Sequence, residues 1–419
     1  MSEDYPHYRR NFAAFVGDWV FFVTGMAFVS YVSVIPAFVN RLTDSAPLIG
    51  LVTTIASGAW LLPQLLGAHY VAGKERKKPF VIVLALIGRP MYLLVALAIF
   101  LTGDTYLWLV LGLFFLAEAV FSIADGLSMV AWFDILSRAI PPRRRGRMYG
   151  TAQAVGGLLA MAAGMAVREI LGPNGPAFPY NYGLLFLLGS AFMLVSLASF
   201  SLVREPKQEA QEQKQPWRVY LPRMMALLRQ DKQFRLINIV RLLAGLGGLA
   251  LPFYVVYATD ILRISDEDIG LFVSAQVLGG IIASLGMGYL NERSGSKVVT
   301  QATVALGLST PIVALIIHYF APHIAAVTYS YALVFVFIGA NYSGYTQGFM
   351  NLVLEMAPPD ERPAYVGLYN TVGGAVLVAP LLGGWLLQTT SYPVLFGMAA
   401  IGATTSLALS FRLTEPRRS

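Results

Sequence analysis

Apolar residues fill this chain in long runs, and charged residues fall almost entirely between them. Read between charged or turn-rich breaks, the runs predict spans at 11–37, 47–72, 79–101, 106–136, 149–171, 180–203, 236–262, 267–291, 297–319, 324–355, 365–387 and 392–412. Each meets or passes the ~20 residues an α-helix needs to cross a hydrocarbon layer. The longest are those expected to tilt or to extend beyond the bilayer. The pattern predicts an all-α membrane protein with twelve transmembrane helices.

Charge orients these spans. With the N-terminus in the cytoplasm, 25 of the 30 basic residues fall in inside segments and three (Arg41, Arg168, Arg263) fall outside. The remaining two, Arg89 and Arg241, lie within spans. The positive-inside rule then places both termini in the cytoplasm, in agreement with an even number of crossings. The net charge of +7 sits in short loops, so it describes topology and not a nucleic-acid-binding face. Composition agrees: 56% of the 419 residues are hydrophobic, 13% are charged, and mean hydropathy is +0.62. Soluble domains carry about 25% charged residues. There is no cysteine, which excludes disulfides, thiol nucleophiles and cysteine metal sites. The first residues lack the layout of a cleavable signal, so the first run is expected to remain as a helix.

The chain repeats itself. PPRRRGRMYGTAQAVGG from Pro141 aligns without gaps on PPDERPAYVGLYNTVGG from Pro358. Pro141, Pro142, Arg145, Gly150, Val155, Gly156 and Gly157 match Pro358, Pro359, Arg362, Gly367, Val372, Gly373 and Gly374 at an offset of 217. A second echo sets Ile49-Gly50-Leu51 against Ile269-Gly270-Leu271. Both echoes occupy equivalent positions, which predicts a duplicated six-helix unit. The expected domains are 1–203 and 236–419, two pseudo-symmetric six-helix bundles. They are joined by a cytoplasmic linker at 204–235 that carries an amphipathic surface helix at Trp217–Leu228.

Twelve spans in two such halves, with a long charged central loop, resemble the major facilitator superfamily. The family's loop between spans 2 and 3, roughly G-x-L-x-D-R-x-G-R-K, is similar to Gly288-Tyr-Leu-Asn-Glu292-Arg293-Ser-Gly295-Ser-Lys297 in the second half. The first-half copy, Gly73-Lys74-Glu75-Arg76-Lys77-Lys78, has altered spacing. The resemblance implies secondary transport and a cavity lined by spans 1, 4, 7 and 10. It also implies a latch in which Arg76 pairs with Asp134, and Arg293, beside Glu292, pairs with Glu355. The drug–proton antiporter proline of span 5 is missing, and a similar string, Ala379-Pro380-Leu-Leu-Gly383-Gly384, stands in span 11.

Ionisable groups inside spans are costly and are therefore functional candidates. Asp18 lies in span 1, and Glu118 and Asp125 lie in span 4. Seven residues of helix leave the latter two ~20° and ~10 Å apart, on one stripe. Such carboxylates can exchange protons near neutral pH, neutralise a buried arginine, or bind substrate directly. Arg89 is the expected partner of Glu118 or Asp125. Arg241 either holds an anionic group or pairs with Asp18 as a gate. In span 10, Asn341, Tyr342, Tyr345 and Gln347 are the candidates for substrate recognition, or else they tie helices together. Tyr342 is the repeat counterpart of Asp125.

No catalytic arrangement, phosphate loop, cofactor site or metal site is expected, and the chain is not expected to be an enzyme. The leading expectation is a monomeric, proton-coupled exporter of a small amphipathic or cationic solute in the cytoplasmic (inner) membrane. Its partners would be the solute, protons or another coupling cation, and the bilayer. The alternative is proton- or cation-coupled uptake of a sugar or other polar metabolite. A non-transporting membrane receptor or assembly factor is the third class.

Overall fold

The computed structural model describes residues 5, 7–71, 74–206, 228–324, 326–358 and 361–416. These residues form twelve helical crossings, and no strand occurs among them. In chain order, α1 is Tyr8–Phe28, followed after a turn by Val34–Leu42, and α2 is Ala46–Leu61 plus Gln64–Val71. Next come α3 (Lys78–Thr102), α4 (Leu107–Ala139), α5 (Pro142–Leu171) and α6 (Tyr180–Ser201). They are followed by α7 (Lys232–Asp260), α8 (Asp268–Ser294) and α9 (Ser296–His323). The α10 crossing is Val327–Gly344, Tyr345–Met350 and Asn351–Met356, and the last two are α11 (Tyr365–Thr389) and α12 (Tyr392–Ser410).

Ten of the twelve are apolar and long enough to cross a bilayer. The other two, α2 and α10, are divided into shorter pieces, and α3, α7 and α11 also change geometry partway along. Pro63 has no N–H to offer the helix and stands between the two pieces of α2. In α10 the segment Tyr345–Met350 winds as a π-helix. Of the linker expected at 204–235, residues 207–227 fall outside the described residues, and with them all but the last residue of the surface helix expected at Trp217–Leu228, while Lys232–Arg235 already belong to α7.

The helices gather into two compact units. Unit 1 takes the described residues of 1–44, 55–213 and 265–274, and unit 2 takes those of 45–54, 214–264 and 275–419. Each unit therefore includes a short segment that the sequence halves assign to the other. Close backbone approach explains both. A Cβ on Gly270 would overlap the Gly164 carbonyl of α5, and a Cβ on Gly50 would overlap the Pro380 carbonyl of α11. In unit 1 the exchanged segment adds ion pairs, Arg41–Asp266 at 3.0 Å and Arg168–Asp268 at 3.5 Å. Two of the three arginines left on the outer side by the orientation rule are thereby matched by acids. In unit 2, α11 restarts at Ala379, and the freed Leu381 N–H donates to Thr54 Oγ1 at 3.2 Å.

Within unit 1, α1 packs on α5 and α6, and α3 packs on α4 and α6. Within unit 2, α9 packs on α10 and α12, and α7 packs on α12 and α11. Met148 and Tyr365, at the repeat offset of 217, each belong to the apolar core of their own unit. Arg145 closes the end of α4, where its Nε donates to Ile140 O at 3.1 Å and its guanidinium to the Ser137 carbonyl. Its repeat partner Arg362 is exposed.

Candidate functional site

The intramembrane charges of unit 1 are arranged around Asp18. Arg89 occupies the break of α3 ahead of Pro90, and its Nη2 meets Asp18 Oδ1 at 3.2 Å. Ser196 Oγ donates to the same oxygen at 2.5 Å, and Trp132 Nε1 donates to Oδ2 at 2.7 Å. Arg89 Nη1 donates to Met193 O at 3.1 Å and to Ser196 Oγ at 3.0 Å. Arg89 and Asp18 are only 8% and 3% exposed, so this is a buried, fully partnered ion pair joining α1, α3, α4 and α6. The partner of Arg89 is therefore Asp18, and not Glu118 or Asp125 as the sequence suggested. Both oxygens of Asp18 are also occupied without Arg241.

The two carboxylates of α4 differ from Asp18. Glu118 is buried and accepts from Tyr92 Oη at 2.6 Å and from Ser122 Oγ at 3.1 Å. Asp125 accepts from Trp60 Nε1 at 2.9 Å. Gly126 makes this contact possible, because a Cβ there would overlap the Trp60 carbonyl. Among the described residues neither carboxylate has an ion-pair partner. Asp18, being neutralised, no longer adds to a negative surface that would favour a cationic solute.

Unit 2 holds the remaining candidates. Asn341 Nδ2 donates to Thr303 O at 2.8 Å, and Gln347 Nε2 donates to Ser284 Oγ at 2.9 Å. These amides tie α10 to α9 and α8. Tyr342 is 68% exposed, whereas its counterpart Asp125 reaches Trp60. Tyr345 opens the π-helical turn and stacks on Phe349 with ring centroids 4.9 Å apart. Arg241, in α7, donates from Nη1 to Tyr369 O at 2.6 Å and lies 3.8 Å above the Tyr369 ring. No carboxylate pairs with it among the described residues. Gly373 leaves room for the guanidinium, which a Cβ would strike. Of the Gly373–Gly374 pair, Gly373 thus makes room for a side chain.

At the basic end of unit 1 the cation facing Asp134 is Lys77, at 2.9 Å, and not the exposed Arg76. Arg138 joins Asp134 at 2.5 Å and Glu205 at 3.1 Å. Glu205 also accepts from the backbone N–H groups of Lys77 and Lys78 at 2.8 and 2.9 Å. In unit 2, Arg293 is exposed and lies over the Tyr289 ring, next to an exposed Glu292, instead of pairing with Glu355. Glu355 accepts from Ser296 Oγ at 2.6 Å, and Glu415 accepts from Lys297 N at 3.0 Å. Glu205 and Glu415 hold equivalent places, each following the last helix of its unit and reaching the first turn of α3 or α9. Positively polarised N–H groups favour a carboxylate there. The sequence signal for this pair is the dipeptide Glu-Pro after each unit's last span, at 205–206 and 415–416.

A cavity of about 430 Å³ in unit 1 is lined by Arg168, Glu169, Asn174 and Glu267, and the three intramembrane carboxylates lie elsewhere. Among the described residues no group of three or more His, Asp or Glu is placed to hold a metal ion.

The family model of the Major Facilitator Superfamily matches residues 8–165 and 237–419. Solved structures share the fold over nearly their whole length. A D-xylose–proton symporter is 13% identical, with a TM-score of 0.71 over 97% of this chain and 98% of that chain. The nucleoside transporter NupG is 14% identical, with a TM-score of 0.66 over 98% of this chain and 99% of that chain. A bacterial metal transporter is 16% identical, with a TM-score of 0.67 over 97% of this chain and 98% of that chain. At these identities the likeness is one of fold, and the named cargoes range from sugars and nucleosides to metal. No curated protein matches the chain.

Proposed function

Because this chain belongs to the Major Facilitator Superfamily, and so is a multi-pass membrane transporter and not an enzyme, we propose that it exports a small organic solute in exchange for protons. Transport proceeds by alternating access of the two six-helix bundles. The chain sits in the cytoplasmic membrane with both termini inside, as the placement of its basic residues supports. The observation that carries the coupling is the state of α4, where Glu118 and Asp125 share one stripe and have neutral hydrogen-bond donors, with no cation in ion-pair contact among the described residues. In an apolar span such a group lacks a positive charge, and a proton supplies it. Asp125 is the first candidate because a single indole N–H holds it, whereas Glu118 has two hydroxyl donors.

The test is Asp125→Asn, which keeps the shape and removes the titration. In proteoliposomes containing a pH-sensitive dye, a carried solute must move protons in the opposite direction. Asp125→Asn is expected to abolish that proton signal and gradient-driven movement, while exchange of solute for solute without a gradient survives. Gradient-driven transport that persists in both Asp125→Asn and Glu118→Gln sinks the reading.

A further inference from the structure

Unit 2 contains an arginine within a span that pairs with no acid among the described residues. Arg241 is half-buried in α7, and of its five N–H donors one is recorded in a hydrogen bond, to the Tyr369 carbonyl. The Tyr369 ring lies flat against the guanidinium at 3.8 Å and fixes its plane. Tyr345 packs against the apolar core to which Tyr369 belongs. A cation in a span with no counter-ion is costly, and a stacking ring recovers only part of that cost. The arrangement leaves the edge of a flat, oriented donor fork without an acceptor.

The backbone around Arg241 is irregular in the same place. The helix bearing Arg241 changes to 3₁₀ geometry at Leu246–Leu249, and α11 does so at Gly374–Val378, directly after Gly373. These two segments pack together, and a Cβ on Gly245 would strike Val376. The π-helical turn of α10 begins at Tyr345. Three neighbouring helices thus leave α geometry around one cation. Departures of this kind within spans expose backbone groups that are tolerated where they line a site.

We propose that Arg241, stacked on Tyr369 and accommodated by Gly373, is an oxyanion site, and that the carried solute is a small organic anion bearing a carboxylate or phosphate group. As a statement about the solute it rests on the transport reading above. The planar fork suits two oxygens of one group, and a lysine would lack that geometry. Gly373 is part of the site, since any larger residue displaces the guanidinium.

The experiment compares three probes of one shape: benzoate, neutral benzamide and cationic benzamidinium, with inorganic phosphate as a fourth. Each is added to the full-length protein in phosphatidylcholine nanodiscs, and the unfolding midpoint is followed. Benzoate or phosphate is expected to raise the midpoint by about 2–4 °C, the shift of a ligand well above its Kd, and benzamide and benzamidinium are not. Arg241→Gln should lose the response and Arg241→Lys should keep part of it. Gly373→Ala retains the charge but moves it, so a lost response there tests the site even if the glutamine variant fails to fold. Nanodiscs containing phosphatidylglycerol separate the sources. If that lipid raises the midpoint through Arg241 and blocks benzoate, the occupant is a lipid headgroup and the solute assignment falls. No Arg241-dependent shift with either anion, or an equal shift with benzamidinium, overturns the site. The assay uses no gradient, so its failure leaves the coupling role of Asp125 standing, and the reverse also holds.

Discussion

The two units repeat one architecture and treat charge in opposite ways. In unit 1, α4 and α5 are continuous helices, and the one intramembrane cation, Arg89, is locked to Asp18 by a network from four helices. In unit 2 the equivalent α10 and α11 are both interrupted, and Arg241 has an aromatic ring and a carbonyl but no acid paired with it among the described residues. The repeat positions locate the difference. Gly156 meets Val20 of α1 where Gly373 meets Arg241, and Ala152 stands where Tyr369 provides the stacking face. Small residues recur at the repeat positions, while the residues that differ hold carboxylates in one unit and a cation stacked on an aromatic ring in the other.

The contrast predicts different costs for similar substitutions. Arg89→Gln should be the most damaging, because it leaves Asp18 as an uncompensated buried charge, at about 3–5 kcal/mol. The double change with Asp18→Asn should recover most of that, as measured by chemical unfolding in detergent. Next comes Glu205→Gln, which weakens two backbone N–H contacts and the pair with Arg138, at about 1–3 kcal/mol. Its counterpart Glu415→Gln touches one recorded backbone N–H and should cost about 0.5–1.5 kcal/mol. If the two glutamates cost the same, the basic ends of the units are more alike than their contacts indicate. At the bottom of the scale, Arg241→Gln should change stability by under about 1 kcal/mol, since no acid is stranded. A loss as large as that of Arg89→Gln would erase the distinction between the units. Lys77→Ala should lower the unfolding midpoint, and Arg76→Ala should leave it where it is.

Twelve crossings, the duplication and the family are legible in the sequence because apolar run length and loop charge are one-dimensional signals. The breaks in α2 and α10 are harder to read. Pro63 is a single residue in an apolar run, and nothing in Tyr345–Met350 marks π geometry. The carboxylates Asp18, Glu118 and Asp125 are also legible as costly residues, but their partners are not. Helical periodicity places a residue on a face without saying which helix meets that face. Ser196 and Trp132, which join Arg89 to Asp18, come from spans far apart in the chain. Choosing Lys77 over Arg76 requires knowing where α3 begins. The Glu-Pro pair could have been found, but its spacing of 210 residues differs from the 217 of the other repeat. Loops between the spans differ in length, so the offset drifts along the chain.

The indole bonds of unit 1 have a use beyond the fold. Trp132 donates to Asp18 and Trp60 donates to Asp125, so each of two carboxylates is read by its own fluorophore. Tryptophan emission responds to the charge at the end of its N–H, and an arriving proton replaces an anionic acceptor with a neutral one. The chain has six tryptophans, and versions that retain only Trp60 or only Trp132 would report each carboxylate separately. Light emitted by the protein itself would then follow proton arrival in real time, with no dye, no label and no knowledge of the cargo.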